Sequence, residues 1–199
     1  MTDIKRPMRR SDREMPHDFA LYVIDKSAYA SLAVMGETYP YSIPLSIVRI
    51  DNQLYFHSAT EGKKVELFSK EPKVCLSFVG DVKVPSVYDE EELAQIKVDP
   101  KQWSQLARNV FTTEFESAIV FGKIREVTES KEIRLALRAI VKKYTPEHMN
   151  LADQGIKAGI ERVKVYAVSM DHVTAKRKRY DSEGKEMKNQ RGWPQASDL

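Results

Sequence analysis

The stretch from Ser117 to Val127 most constrains what this chain can fold into. Ser117-Ala118-Ile119-Val120-Phe121 is small or apolar throughout, whereas Gly122-Lys123-Ile124-Arg125-Glu126-Val127 alternates. A continuous apolar run needs both faces covered and an alternating one needs only one, so the pattern predicts a core strand that emerges into solvent. Strands are also expected over Tyr29 to Met35, Tyr39 to Ile50, Gln53 to His57, Lys73 to Val79 and Val163 to Met170, about six in all. Gly36-Glu37-Thr38 and Asp51-Asn52 supply the turns of successive hairpins, and little of the pattern suggests βαβ alternation, so the sheet should be mostly antiparallel. Pro44 gives up a ladder donor, which points to a sheet edge, a bulge, or backbone turned toward a ligand.

Helices fill the remaining periodic segments. One is expected behind Pro16, with Phe19, Tyr22 and Val23 on one face, and one from about Gly62 to Ser69. Another runs from a cap at Ser130 through Ile133, Leu137, Ile140, Val141 and Tyr144 to a stop at Pro146. Residues 81–114 read as a helical insertion, opened by Asp89-Glu90-Glu91-Glu92 and carrying Trp103, Leu106, Ala107 and Val110 at helical spacing. Gly155 and Gly159 mark loops. At 199 residues one domain is expected, with residues 1–15 as a basic arm and 172–199 as a basic tail holding Lys176-Arg177-Lys178-Arg179. Trp193, amid polar residues, must pack on its own subunit, a partner or a ligand.

Composition excludes more than it selects. Thirty-two Lys and Arg against 29 Asp and Glu leave +3, too balanced to point to nucleic acid or an anionic membrane. Neither a leader nor a spanning helix is visible, so a cytoplasmic protein is expected. A single cysteine, Cys75, rules out an internal disulfide, and the four histidines lack the spacing of a metal site, so no metal is expected.

The segment Leu54-Tyr55-Phe56-His57-Ser58-Ala59-Thr60-Glu61-Gly62-Lys63-Lys64 carries the chemistry. An apolar strand ends in small polar residues, a glycine and adjacent lysines, and Ser58 with Glu61 fits a capping box. A helix starting there would aim free N–H groups and its positive dipole end at the corner, which suits phosphate. The same spacing also fits an ordinary strand-to-helix turn with solvated lysines.

Four stretches together resemble the FMN-binding split barrels related to pyridoxamine 5′-phosphate oxidase, in particular their nitroimidazole-resistance branch. They are Met8-Arg9-Arg10-Ser11-Asp12-Arg13-Glu14, Tyr39-Pro40-Tyr41-Ser42-Ile43-Pro44-Leu45, Phe56 to Lys64, and Phe115-Glu116-Ser117-Ala118-Ile119-Val120-Phe121-Gly122-Lys123. The resemblance implies a six-stranded antiparallel split barrel that forms a homodimer with FMN at the subunit interface. By position it places Ile43, Pro44, Leu45 and Ser46 along the flavin, His57 and Ser58 near ribityl and phosphate, and Lys63 and Lys64 on the phosphate. Glu116 and Ser117 match the family's Gln-Ser pair on the opposite side. Two departures matter: Lys63-Lys64 stands where the oxidases often show Arg-Lys, losing a bidentate fork, and the oxidases' C-terminal Arg-x-His element is missing, which argues against vitamin B6 oxidation.

The function implied is that of an FMN-dependent oxidoreductase in which the flavin does the chemistry and no side chain need be the catalyst. NAD(P)H or another donor would supply electrons, and Tyr41, Trp103 or Trp193 could stack on a small planar substrate such as a nitroimidazole. The alternative is a non-enzymatic flavin- or haem-binding protein, with His57 as the haem ligand. Nucleic-acid binding is disfavoured, because aromatic residues are not interleaved with the basic termini.

Overall fold

The computed structural model describes residues 6–193. Among them nine strands and six α-helices alternate with short 3-10 and π turns. The class is the expected one, mainly β, with an antiparallel split barrel and flanking helices. The strand count exceeds six because the strand expected over Tyr39 to Ile50 is split in two and each terminal segment adds one more.

The long strand β7 (Glu114–Val127) organises the barrel. One edge pairs with β6 (Lys73–Lys83) along almost its whole length. Its other edge is shared: Phe115 to Phe121 pair with β9 (His172–Lys178), and Ile124 to Val127 pair with β8 (Val163–Ser169). Gly122 sits where the partner changes, and a Cβ placed on it would lie 1.7 Å from the Ser169 carbonyl oxygen. Only a residue without a side chain lets β8 and β9 fork at this point.

Beyond β6 lie β2 (Ala30–Met35) and, at the edge, β3 (Pro40–Leu45). Beyond β8 lie β5 (Gln53–Ala59) and, at the other edge, β4 (Val48–Ile50). The single strand expected over Tyr39 to Ile50 is therefore two, broken at Ser46–Ile47 and serving opposite ends of the sheet order. Pro44 lies on the edge strand β3 opposite Ser31, where its missing N–H costs least.

Burial alternates along the strands, and helix α1 (His17–Lys26) closes the barrel with Phe19, Ala20, Val23 and Ile24. These meet Leu32, Phe56, Leu76, Phe78 and Val120 in one core. A second core forms outside the barrel, where α5 (Ser130–Tyr144) and α6 (Ala152–Gly159) cover Tyr55, Val127, Val165 and Ala167. Helix α5 carries the apolar face expected of it, but its cap is Glu129, whose carboxylate accepts the Glu132 N–H at 2.7 Å, not Ser130. Gly155 and Gly159 lie inside α6 rather than in loops.

Two expectations about the termini are corrected. Residues 172–178 of the supposed tail form β9, with Arg177 and Lys178 each only 4% exposed. Of the N-terminal arm, Ser11–Arg13 form a 3-10 turn and β1 (Glu14–Met15) pairs with β9. The parts of both expectations that cover residues 1–5 and 194–199 lie outside the described residues. The inserted segment holds α3 (Glu90–Val98), opened by an Asp89–Glu92 capping box, then α4 (Trp103–Gln105) and a π turn over Leu106–Val110. No helix among the described residues is long and apolar enough to cross a membrane.

Candidate functional site

Strand β5 pairs with β8 through Ala59 opposite Val163, so Ser58 is a strand residue and not a helix cap. Period two decides where its side chain goes: Ser58 falls on the same inward face as Leu54 and Phe56. It is 3% exposed, and its hydroxyl oxygen has no hydrogen-bond partner among the described residues. A buried hydroxyl left unpaired costs free energy, so such an atom marks a place where a ligand or water completes the structure.

After Ala59 the chain bends through Thr60-Glu61, passes Gly62 at φ 113°, and enters α2 (Lys63–Lys70). Gly62 stands at the N-cap without a side chain, so the first N–H groups of α2 receive no side-chain cap. Nothing lies within 4 Å of where a Gly62 Cβ would be, which leaves the approach to these groups open. The helix is pinned from below, since Phe68 packs edge-on against Phe56 and Tyr166. Lys63 is exposed and Lys64 half-buried, and neither forms an ion pair among the described residues. The Lys63 ammonium lies 4.8 Å from the centroid of the Tyr41 ring, which ties the corner to β3. Uncapped N–H groups, the helix dipole, two cations and an unpaired hydroxyl are a chemically suitable set for a phosphate.

The other sequence-predicted residues divide. Along β3, Tyr41, Ile43 and Leu45 turn toward the core, while Pro44 and, just beyond, Ser46 stay exposed. A ligand along this edge would meet Pro44, Ser46 and unpaired backbone rather than all four side chains alike. His57 faces away from Ser58, because neighbours on a strand point to opposite sides. It lines a cleft of about 310 Å³ outside the barrel with His148, Leu137, Ile140, Ile156 and Val163. Desolvation, then the nearby Lys64 charge, hold the His57 pKa below its ordinary value, which favours the neutral imidazole.

Glu116 and Ser117 lie in clefts different from the corner. Glu116 is buried and accepts a hydrogen bond from the Lys26 ammonium at 3.0 Å. Burial opposes the Lys26 charge, but contacts with Tyr22, Asp81 and Glu116 outweigh it and raise its pKa. Ser117 lines an outer cleft of about 430 Å³ with Ile119, Phe121, His172 and Thr174. Trp103 is 54% exposed, its indole donating to the Lys97 carbonyl at 3.2 Å. Trp193 packs edge-on against Phe19 at 5.5 Å, so it belongs to its own core and not to a free stacking surface. Cys75 is half-buried, and burial pushes its thiol pKa up, as suits an inert residue. No group of three or more metal-ligating side chains occurs among the described residues.

Sequence reasoning missed the burial of Arg177 and Lys178 in a strand. Their signal was the alternation of Val173 and Ala175 with polar neighbours, obscured by the surrounding charge.

Residues 16–177 match the family model described as pyridoxamine 5′-phosphate oxidase. The chain belongs to that family. No curated protein matches it. Among solved structures, a protein provisionally assigned to 5-nitroimidazole antibiotic resistance from Bacteroides thetaiotaomicron is 23% identical, with a TM-score of 0.60 over 81% of this chain and 83% of that one. The flavocytochrome Anf3 from Azotobacter vinelandii is 16% identical, with a TM-score of 0.66 over 100% and 91% of the two chains. An FAD- and haem-binding protein from Mycobacterium smegmatis is 13% identical, with a TM-score of 0.61 over 94% and 78%. At these identities the likeness is one of fold. The family resemblance read from the four sequence stretches is thereby borne out.

Proposed function

We propose that this member of the pyridoxamine 5′-phosphate oxidase family binds FMN and is an oxidoreductase that reduces a small planar substrate, a nitroaromatic such as a nitroimidazole being the leading class. The observation that carries the reading is the corner itself: an uncapped helix start with Lys63 and Lys64 beside a buried, unpartnered Ser58 hydroxyl. A single anion corner suits a monophosphate, which favours FMN over a dinucleotide flavin. The flavin- and nitroimidazole-related names among the structural neighbours support the same class.

In this reading Lys63, Lys64 and the first N–H groups of α2 hold the phosphate, and Ser58 adds a hydrogen bond from within the barrel. The β3 edge at Pro44 and Ser46 offers backbone to the ring system, and Tyr41 braces Lys63 from below. When bound, FMN supplies hydride or electron transfer, and the protein supplies binding, orientation and exclusion of water. A homodimer completes the site. The face of the sheet opposite the main core carries Ser31, Ala33, Cys75, Ser77, Ile119 and Phe121, all partly exposed and mostly small, a flat surface that a second copy can cover. Ser117 lies on that same face, where a second copy would cover it.

The test is the visible absorption spectrum of the purified protein, before and after added FMN. Flavin bands are expected, and a protein that shows none and gains none would end this reading. The second reading, haem at His57, has one observation in its favour: the imidazole opens on a mostly apolar cleft shared with His148. Its volume of about 310 Å³ lies at the bottom of the ligand-pocket range of roughly 300–1,000 Å³, which suits a compact ligand better than a tetrapyrrole. A Soret band lost on His57→Ala would reverse the order of the two readings.

Ser58→Ala provides a prediction with opposite signs in two measurements. Removing an unsatisfied buried hydroxyl should leave the flavin-free protein as stable or up to about 1 kcal/mol more stable, and weaken FMN binding by about 1 kcal/mol. Thermal melts with and without FMN check both, and an equal loss of stability in both states would show that the hydroxyl serves the fold instead.

A further inference from the structure

The basic N-terminal and C-terminal segments, far apart in sequence, converge on one cavity. Arg10 and Arg13 approach from one side, Lys185 and Lys188 from another, Lys178 from the end of β9, and Arg108 from the π turn of the inserted segment. Among the described residues Glu186 is the one carboxylate in the lining. It is already engaged, by Arg13 at 2.6 Å and by Arg10 and Lys188 at 3.7 Å. Arg10 is held further by Asp12 at 2.7 Å. Arg108, Lys178 and Lys185 have no carboxylate partner among the described residues.

Lys178 is the informative one. It is 4% exposed, and its ammonium donates to the Thr112 hydroxyl and, at 3.4 Å, to the Arg108 carbonyl, with the Tyr180 ring 5.2 Å away. Burial, then the Arg13 charge, lower its pKa, with Arg10 and Lys188 adding to the effect and Glu186 opposing it. An ammonium desolvated without an anion is costly unless something else supplies the charge. The second independent feature is the π turn, in which the Phe111 N–H bonds the Leu106 carbonyl at 2.7 Å and sets Arg108 and Asn109 into the lining. Such turns recur at functional sites because they cost helix regularity. Gly184, at φ +73°, closes the turn that presents Lys185, whose N–H bonds the Asp181 carboxylate.

We infer that this cavity binds a phosphorylated dinucleotide, at a site separate from the FMN phosphate corner. Guanidinium and ammonium groups such as Arg108, Lys178 and Lys185, without carboxylate partners among the described residues, are the usual recognition set for phosphate oxygens. The volume, about 1090 Å³, is far more than a free phosphate needs and lies just above the usual small-molecule range of roughly 300–1,000 Å³. Gln105, Asn109 and Gln190 are on hand for neutral polar contacts with sugar and base. The cavity adjoins the strand positions where Lys178 faces Phe115 and Arg177 faces Glu116, next to Ser117. A role for the dinucleotide as electron donor rests on the FMN reductase reading, whereas its binding does not.

Arg108 and Lys185 are exposed, so the Arg108→Ala/Lys185→Ala protein should fold, and its melting temperature checks that it does. Titration of the full chain with NADPH, followed by nicotinamide fluorescence, is expected to show saturable binding that inorganic pyrophosphate competes with weakly. The double variant should bind NADPH at least about tenfold more weakly, as the loss of charge-assisted contacts implies, with FMN affinity unchanged. Lys63→Ala/Lys64→Ala should do the reverse, so a failure of the FMN reading is visible separately in the flavin titration. If the double variant melts early, Arg108→Glu alone takes its place. Absence of NADPH binding, NADPH binding undiminished in the Arg108→Ala/Lys185→Ala protein or in the Arg108→Glu protein that replaces it, pyrophosphate binding as tightly as NADPH, or displacement of NADPH by a short single-stranded RNA at lower concentration than by pyrophosphate would each overturn the inference.

Discussion

Gly122→Ala is expected to destabilise the fold severely, where most added methyl groups would cost little. The methyl group would sit 1.7 Å from the Ser169 carbonyl oxygen and 3.1 Å from the Val168 side chain. The carbonyl belongs to backbone and cannot swing aside like a flexible side chain. Its neighbourhood is also fixed on both sides: Ile124 pairs with Val168 on β8, Phe121 pairs with His172 on β9, and the Asp171 N–H bonds the Phe121 carbonyl at 3.0 Å. Relief therefore means giving up one branch of the fork. Overpacking a core typically costs about 1–3 kcal/mol and more where nothing can yield, so a loss above about 3 kcal/mol is expected here. Against a total stability of roughly 5–15 kcal/mol, that is enough to lower soluble yield as well as the melting temperature. Gly155→Ala is the matched control, because nothing lies within 4 Å of its Cβ position inside α6. It should stabilise the protein by up to about 1 kcal/mol through helix propensity. Chemical denaturation of both variants decides the point, and a Gly122→Ala protein as stable as the parent would show that the fork is not what demands glycine.

The same fork explains what the sequence made legible and what it hid. Alternation and apolar content exposed β7 because its burial is a local property of its own residues. β9 was hidden because the burial of Arg177 and Lys178 depends on groups remote in sequence. The Arg177 guanidinium donates to the Gly192 carbonyl at 2.8 Å and the Gln190 carbonyl at 3.3 Å, and lies 5.7 Å from the Phe19 ring. A charge run reads as solvated when its partners are another segment's carbonyls. At the corner, residue types were legible but faces were not fully drawn out. The spacing of Ser58 and Glu61 matched a capping box, yet pairing with β8 through Ala59 holds Ser58 in the sheet. Period two along Leu54, Phe56 and Ser58 then sends His57 to the α5–α6 side, a separation available from the sequence once the strand is extended by two residues. The remoteness of Glu116 and Ser117 from Lys63 was not readable, since it depends on how the whole sheet curls.

Lys63→Ala/Lys64→Ala should weaken FMN binding by about 3 kcal/mol, close to a hundredfold in Kd, from the loss of two charge-assisted contacts. The two lysines are not equivalent. Lys63 is exposed and lies over Tyr41, so its charge is screened by salt and its single Ala variant should lose less, and lose it less as ionic strength rises. Lys64 is half-buried beside His57 and less open to solvent than Lys63, so Lys64→Ala should account for most of the effect. That variant has a readout independent of flavin: removing the cation that helps hold His57 below its ordinary pKa should raise it, which an NMR titration of the imidazole detects. Lys63→Arg should act in the other direction and tighten FMN, because a guanidinium fork can grip two phosphate oxygens where an ammonium offers a point charge. Fluorescence-quenching titrations of the four proteins at low and moderate salt separate these terms. If the double variant binds FMN as tightly as the parent, the phosphate lies elsewhere, and the unpartnered hydroxyl of Ser58 must be completed by something other than the flavin.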